Sequence, residues 1–229
     1  MPHTLRPLAG FSLTVALSLL LVAPVYAQSQ VEALAGFELD LSSSEEIVSG
    51  ETFSADADYL KTAGKPEWPP FDVIVPMAGN GEYDSRVVEA PVTGLLKFVF
   101  VTPGGGFIES VSLSAASMPI AELDKRLEYF ATVLRTEVVP GLVDGKSEAT
   151  SANTRPTKLG DTDAVELFGS YKDATYGTIH WRLVGLPHPD REEGFVALVQ
   201  VAETAVPITS PEDYPATLTG RLLETFSFR

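Results

Sequence analysis

The chain contains no cysteine. That excludes a disulfide framework, a thiol nucleophile and any cysteine-based metal site, and it removes the residue that carries the lipid of a bacterial lipoprotein. Histidine is nearly as scarce, with three in 229 residues. His3 lies in a leader-like segment, so His180 and His188 are the imidazoles left for acid–base work. No Gly-x-Ser-x-Gly is present, and a serine hydrolase of familiar type needs that nucleophile elbow. Gly104-Gly105-Gly106 lacks the Lys-Ser/Thr pair of a phosphate-binding loop and falls between two strand-like stretches, so it reads as a hairpin turn. Basic residues are also few: 16 Lys and Arg stand against 31 Asp and Glu, for a net charge of −15. Such a balance offers no basic face to nucleic acid or to anionic membrane. It keeps an exported protein soluble and leaves a divalent cation or a basic partner open.

What is present begins with a targeting pattern. His3 and Arg6 precede an apolar stretch from Leu8 to Val22, and Val25-Tyr26-Ala27 supplies the small residues of a cleavage site. We expect a signal peptide over 1–27, cut after Ala27, with export to the periplasm or beyond and no membrane insertion after cleavage. A membrane anchor is the alternative, but the apolar stretch is short for a span. Residues 28–94 read as an acidic N-terminal segment with short strands at 37–41 and 71–75, partly loop. Seven acids and no base fall between Glu38 and Asp58, and a charge run of that kind is more simply a solvated segment than a site.

Residues 95–229 carry the core pattern of a single α+β domain. An apolar run at Leu95–Val101, the glycine turn, and the alternation of Phe107, Val111 and Leu113 with serines predict a hairpin. Ile120, Leu123, Leu127, Phe130 and Leu134 then recur at helical spacing. They predict a helix from Pro119 to Glu137 that Pro140-Gly141 stops. Residues 141–160 read as loop or edge. Three strands follow, over 164–171, 178–184 and 195–202, joined by short turn-rich connectors that suit an antiparallel meander. Thr209-Ser210-Pro211-Glu212-Asp213 starts a C-terminal helix whose regular part begins near Tyr214, with Leu218, Leu222, Leu223 and Phe226 on its apolar face.

Two places invite chemistry. Alternation over 178–184 sets His180 and Arg182 on one sheet face and Trp181 on the other, so the pair is a candidate for binding an anion or a carboxylate. Asp161 and Asp163, with Glu166 three residues further on, offer hard oxygen ligands and are the candidate metal site. They lack the further acids and the glycine of a calcium loop, and an acidic turn before a strand explains them as simply.

Lys158-Leu159-Gly160-Asp161-Thr162-Asp163-Ala164 and the closing Leu222-Leu223-Glu224-Thr225-Phe226-Ser227-Phe228, set in a strand–strand–helix–strand–strand–strand–helix order, resemble the Mog1/PsbP-like group over about 130 residues. The resemblance implies an α/β/α sandwich around an antiparallel sheet. It also implies a binding or assembly factor with no shared catalytic residues, so no functional residue transfers. The function expected is therefore that of a non-enzymatic, exported accessory domain with an envelope protein partner and no cofactor. A small-ligand or divalent-cation binder is the alternative, ahead of an atypical hydrolase.

Overall fold

The computed structural model describes residues 51–77, 81–90 and 95–229. The leader over 1–27, the expected strand at 37–41 and most of the acidic run lie outside the described residues. Among the described residues no helix is long and apolar enough to cross a membrane.

Two antiparallel sheets organise the chain. The smaller holds β1 (Glu51–Ala55), β2 (Phe71–Val75) and β11 (Ser227–Phe228), with β2 in the middle. The larger holds β3 (Asp84–Ala90), β4 (Leu95–Val101), β5 (Phe107–Ser117), β6 (Ser147–Ser151), β7 (Arg155–Leu159), β8 (Thr162–Asp173), β9 (Gly177–Pro187) and β10 (Glu193–Ala202). Its order is β3-β4-β5-β10-β9-β8, with β6 and β7 sharing the outer edge of β8. The expected hairpin is the β4–β5 pair. Gly105 takes φ +85° at its tip, where a side chain would be strained. Thr102 closes the turn by accepting from Gly105 N–H through its carbonyl, at 2.8 Å, and from Gly106 N–H through its hydroxyl, at 2.9 Å. Two of the glycine amides are thus used inside the turn.

Each face of the large sheet has its own cover. β9 and β10 pair so that His180, Arg182 and Val184 share a face with Val201, Val199 and Ala197. β5 adds Glu109, Val111 and Leu113 to that face. It packs against the small sheet through Phe195, whose ring lies 5.2 Å from Phe71 and 5.3 Å from Trp68. It also packs against α4 (Leu218–Glu224), which follows a 3-10 turn at Pro211–Ala216. α1 (Ala57–Thr62) sits beside β1, capped by Asp56, which accepts from Tyr59 N–H at 2.8 Å. The core therefore includes Ala55, Leu60, Trp68, Phe71 and Val73, well before Leu95.

The opposite face lies under a long helix: α2 (Leu123–Val133), a π turn (Leu134–Val138) and α3 (Val139–Val143). Phe130 packs so closely on Gly185 that a Cβ there would fall 2.8 Å from its ring. The helix does not stop at Pro140-Gly141 as expected. The π turn shifts the bonding register, so Val139 N–H reaches Leu134 O, and Pro140 falls in the first turn of α3, where its missing N–H is tolerated. Nor does the helix begin at Pro119. Ile120 N–H bonds Met118 O at 2.7 Å, and the Ile120 and Ala121 carbonyls are held by the buried guanidinium of Arg126, so the chain stays extended there. The outcome is an α+β fold: one antiparallel sheet flanked by helices, with a small sheet sharing one of the covering layers.

Candidate functional site

His180 and Arg182 stand on the same face, as alternation requires, but they have separate environments. Arg182 lies opposite Phe168 on β8, one step from Glu166. Its Nε donates to Glu166 Oε2 at 2.8 Å and its Nη2 at 2.6 Å, and both side chains are almost wholly buried. Glu166 Oε1 accepts from Nε of Arg155 at 2.8 Å, and Arg155 reaches out to Glu212 at 3.2 Å. The two guanidinium groups lie 4.8 Å (Arg155) and 5.8 Å (Arg182) from the Phe168 ring, and the ring of Tyr214 closes over Phe168 at 5.1 Å. Arg182 is thus the buried counter-ion of Glu166 and not an open anion clamp, although its Nη1 has no partner.

His180 is nearer the surface, in an open cleft of about 300 Å³. The cleft runs between the β6 edge, the ends of β8 and β9, and the chain from Ile208 to Tyr214. Its Nε2 is 3.4 Å from Glu203 Oε1 without the geometry of a directed hydrogen bond. A hydrogen bond from Thr178, and secondarily the nearness of the His180 imidazole, hold the Glu203 carboxyl below the usual range. Ser170 is the cross-strand partner of His180, yet its hydroxyl is 2.9 Å from Thr150 Oγ1 and is engaged there. A hydroxyl, an imidazole and a carboxylate are therefore neighbours, without the nucleophile-to-base hydrogen bond that serine catalysis uses.

The candidate metal ligands do not come together. Both Glu166 oxygens are taken by arginines. Asp163 pairs with Lys158 Nζ at 3.0 Å across the β7–β8 ladder, and Asp161 is an exposed residue of the turn between those strands. Among the described residues no group of three or more His, Asp or Glu is placed to hold a metal ion. Asp161 and Asp163 instead line a second cleft, of about 500 Å³, with Glu224, Pro187, Pro189 and Phe228.

Sequence reasoning missed two buried charges. Glu109, wholly buried on β5, accepts from Leu218 N–H and Thr219 N–H at 2.9 Å each and from the Thr219 hydroxyl. It holds the first amides of α4 from the sheet face on which that helix lies. Burial pushes its carboxyl up, and the bonds from Thr219, Leu218 and Thr217 offset only part of that. Arg126, buried on α2, donates to four carbonyls, those of Ile120, Ala121, His188 and Pro189, at 2.7–2.8 Å. It ties the β9–β10 loop to the helix start. His188 in that loop is buried against Phe228, and desolvation holds its imidazole below the usual range. The available signal was a charge inside an apolar run: Glu109 follows Phe107-Ile108, and Glu166 sits between Val165 and Leu167. A charge so placed needs a buried partner.

No family model and no curated protein matches the chain. Solved structures similar to it include cyanobacterial PsbP (CyanoP) from Synechocystis, at 16% identity over 81% of this chain and 95% of that one, with a TM-score of 0.49. They also include LpqN of Mycobacterium tuberculosis, described as involved in cell envelope biogenesis, at 13% identity over 80% and 95% with a TM-score of 0.42. A third is the Ran-binding protein Mog1p of Saccharomyces cerevisiae, at 10% identity over 79% and 96% with a TM-score of 0.41. In this chain the His180 cleft opens at the β6–β8 side of the large sheet, and the acidic cleft lies at the β7–β8 turn, beside the C-terminal strand. At such identities and TM-scores no residue role comes with the likeness.

Proposed function

We propose that this chain is an exported, non-enzymatic binding or assembly-accessory domain of the cell envelope, and that it binds through the His180 cleft. One observation supports the reading above others. The buried ionisable groups that could do chemistry serve the fold: Glu166 with Arg182 and Arg155, Glu109 with the start of α4, and Arg126 with four carbonyls. The cleft beside them stays open and is bordered by His180 and several hydroxyl side chains. Export rests on the leader pattern of residues 1–27.

A photo-crosslinking residue at Ser151, exposed on the cleft rim, tests the reading in cells of the source organism. A discrete adduct is expected from Ser151 and not from Glu128, which is exposed on α2 over the other sheet face. The same adduct from both positions, or none from Ser151, counts against binding at this cleft. Ester hydrolysis by the purified protein that Ser170→Ala and His180→Gln both abolish would move the chain to the hydrolases.

A further inference from the structure

The lining of the His180 cleft has an unusual chemical balance. Among the described residues it includes no Lys, Arg, Asp or Glu. Arg182 lies behind Phe168 and is held by Glu166. Glu203 faces His180 from outside the lining. A carboxylate or phosphate ligand only accepts hydrogen bonds and needs a cationic or donor-rich wall. A metal ion needs carboxylates or carbonyls gathered around it. The cleft offers neither set.

It offers groups that both donate and accept. Thr150 and Ser170 hold their hydroxyl oxygens 2.9 Å apart, and Thr150 Oγ1 also accepts from Ser170 N–H at 3.0 Å. Of the two hydroxyl hydrogens, one is used between the pair and the other is left to donate outward. Thr209 Oγ1 donates to Asp213 at 2.9 Å and keeps its lone pairs as acceptors. His180 borders the cleft with its imidazole ring, whose Nε2 is buried beside Glu203. Pro211 and Ile208 supply apolar wall between these groups.

We infer that the cleft takes a neutral, hydroxyl-bearing ligand: a sugar residue of a glycan. Each sugar hydroxyl both donates and accepts, which matches the mixed, uncharged lining, and the C–H faces of the ring match Pro211 and Ile208. The volume of about 300 Å³ is at the small end of ligand sites and suits one ring rather than a chain. The inference rests on the reading of this cleft as the binding site of a non-enzymatic domain.

The test is ligand-detected NMR on the full mature chain, with methyl glucoside, methyl galactoside and methyl N-acetylglucosaminide as probes and malonate and calcium chloride as comparators. At least one glycoside is expected to saturate in the millimolar range. Ser170→Ala should weaken it about fivefold or more, and Ser151→Trp, an exposed plug at the rim, should abolish it. A Glu128→Gln control should leave it unchanged. Saturation by malonate or calcium alone overturns the inference, as does glycoside binding indifferent to Ser151→Trp. Should no glycoside bind while the Ser151 crosslink persists, the sugar assignment falls and the binding reading stands. Loss of both removes both.

Discussion

The buried pair of Glu166 and Arg182 gives the sharpest quantitative test of how this sheet is built. Both side chains are almost wholly buried, and Arg182 grips one carboxylate oxygen with two nitrogens, at 2.6 and 2.8 Å. Breaking such a pair by removing one partner costs roughly 3–5 kcal/mol, because the other charge is left buried without compensation. The two halves are not equivalent here. Arg182→Met leaves Glu166 its second cation, Arg155, at 2.8 Å. Glu166→Leu leaves Arg182 with none, and its Nη1 already lacks a partner. Glu166→Leu should therefore fall at the upper end of that range and Arg182→Met below its lower end, at about 2 kcal/mol. Replacing both by apolar residues of similar volume removes the stranded charge, so the double variant should be more stable than Glu166→Leu alone. Urea unfolding of the four proteins, followed by the fluorescence of buried Trp181, measures all of this. A Glu166→Leu cost under about 1 kcal/mol, or a double variant as unstable as the sum of the singles, would refute the account.

Three further outcomes follow from the same kind of reasoning. Gly220→Ala should destabilise by about 3 kcal/mol or more, since its Cβ would fall 1.8 Å from the Tyr214 carbonyl, a backbone atom that cannot move aside cheaply; thermal melting checks it. Glu109 has a raised folded-state pKa, so its neutral form favours the fold. That contribution is full below the ordinary carboxyl value of about 4.3 and is lost as pH rises through the raised one. Wild type should thus lose urea midpoint relative to Glu109→Gln between pH 4 and 8, and a relative gain would show that the α4 amides hold the carboxylate form instead. Mass spectrometry of the protein recovered from its source cells should find Gln28 at the N-terminus, and retention of residues 1–27 would favour the anchor.

Periodicity exposed what depends on neighbours in the chain. The alternation of β9 and the apolar stripe of α4 are properties of local sequence, and they appear in the structure as expected. What stayed hidden depends on distance. Glu109 caps a helix that begins 109 residues later, and no local pattern marks that partnership. Nearness to Asp161 and Asp163 makes Glu166 a candidate metal ligand in the sequence, whereas its bonds run to Arg182 and Arg155 on neighbouring strands. β1 and α1 were lost inside a segment judged by its charge. The acids that suggested solvation include Asp56, which is the cap of α1.

The same long-range bonds bear on what the His180 cleft can do. One wall is the chain from Thr209 to Tyr214. Asp213 fixes it by accepting from Thr209 N–H at 2.7 Å and Ser210 N–H at 2.8 Å. Thr217 follows, donating to Tyr214 O and accepting from Gly220 N–H, and Glu109 clamps the next two amides to the sheet. The opposite wall is the β6 edge, held to β8 through Thr150 and Ser170. The first wall is anchored to the core by the buried bonds of Thr217 and Glu109, and the second by its ladder with β8 and the exposed Thr150–Ser170 bonds, so the cleft is formed before any ligand arrives. Binding then loses little to ordering. Serine catalysis would need, besides that rigidity, a base bonded to its nucleophile, and the Ser170 hydroxyl is engaged by Thr150 instead.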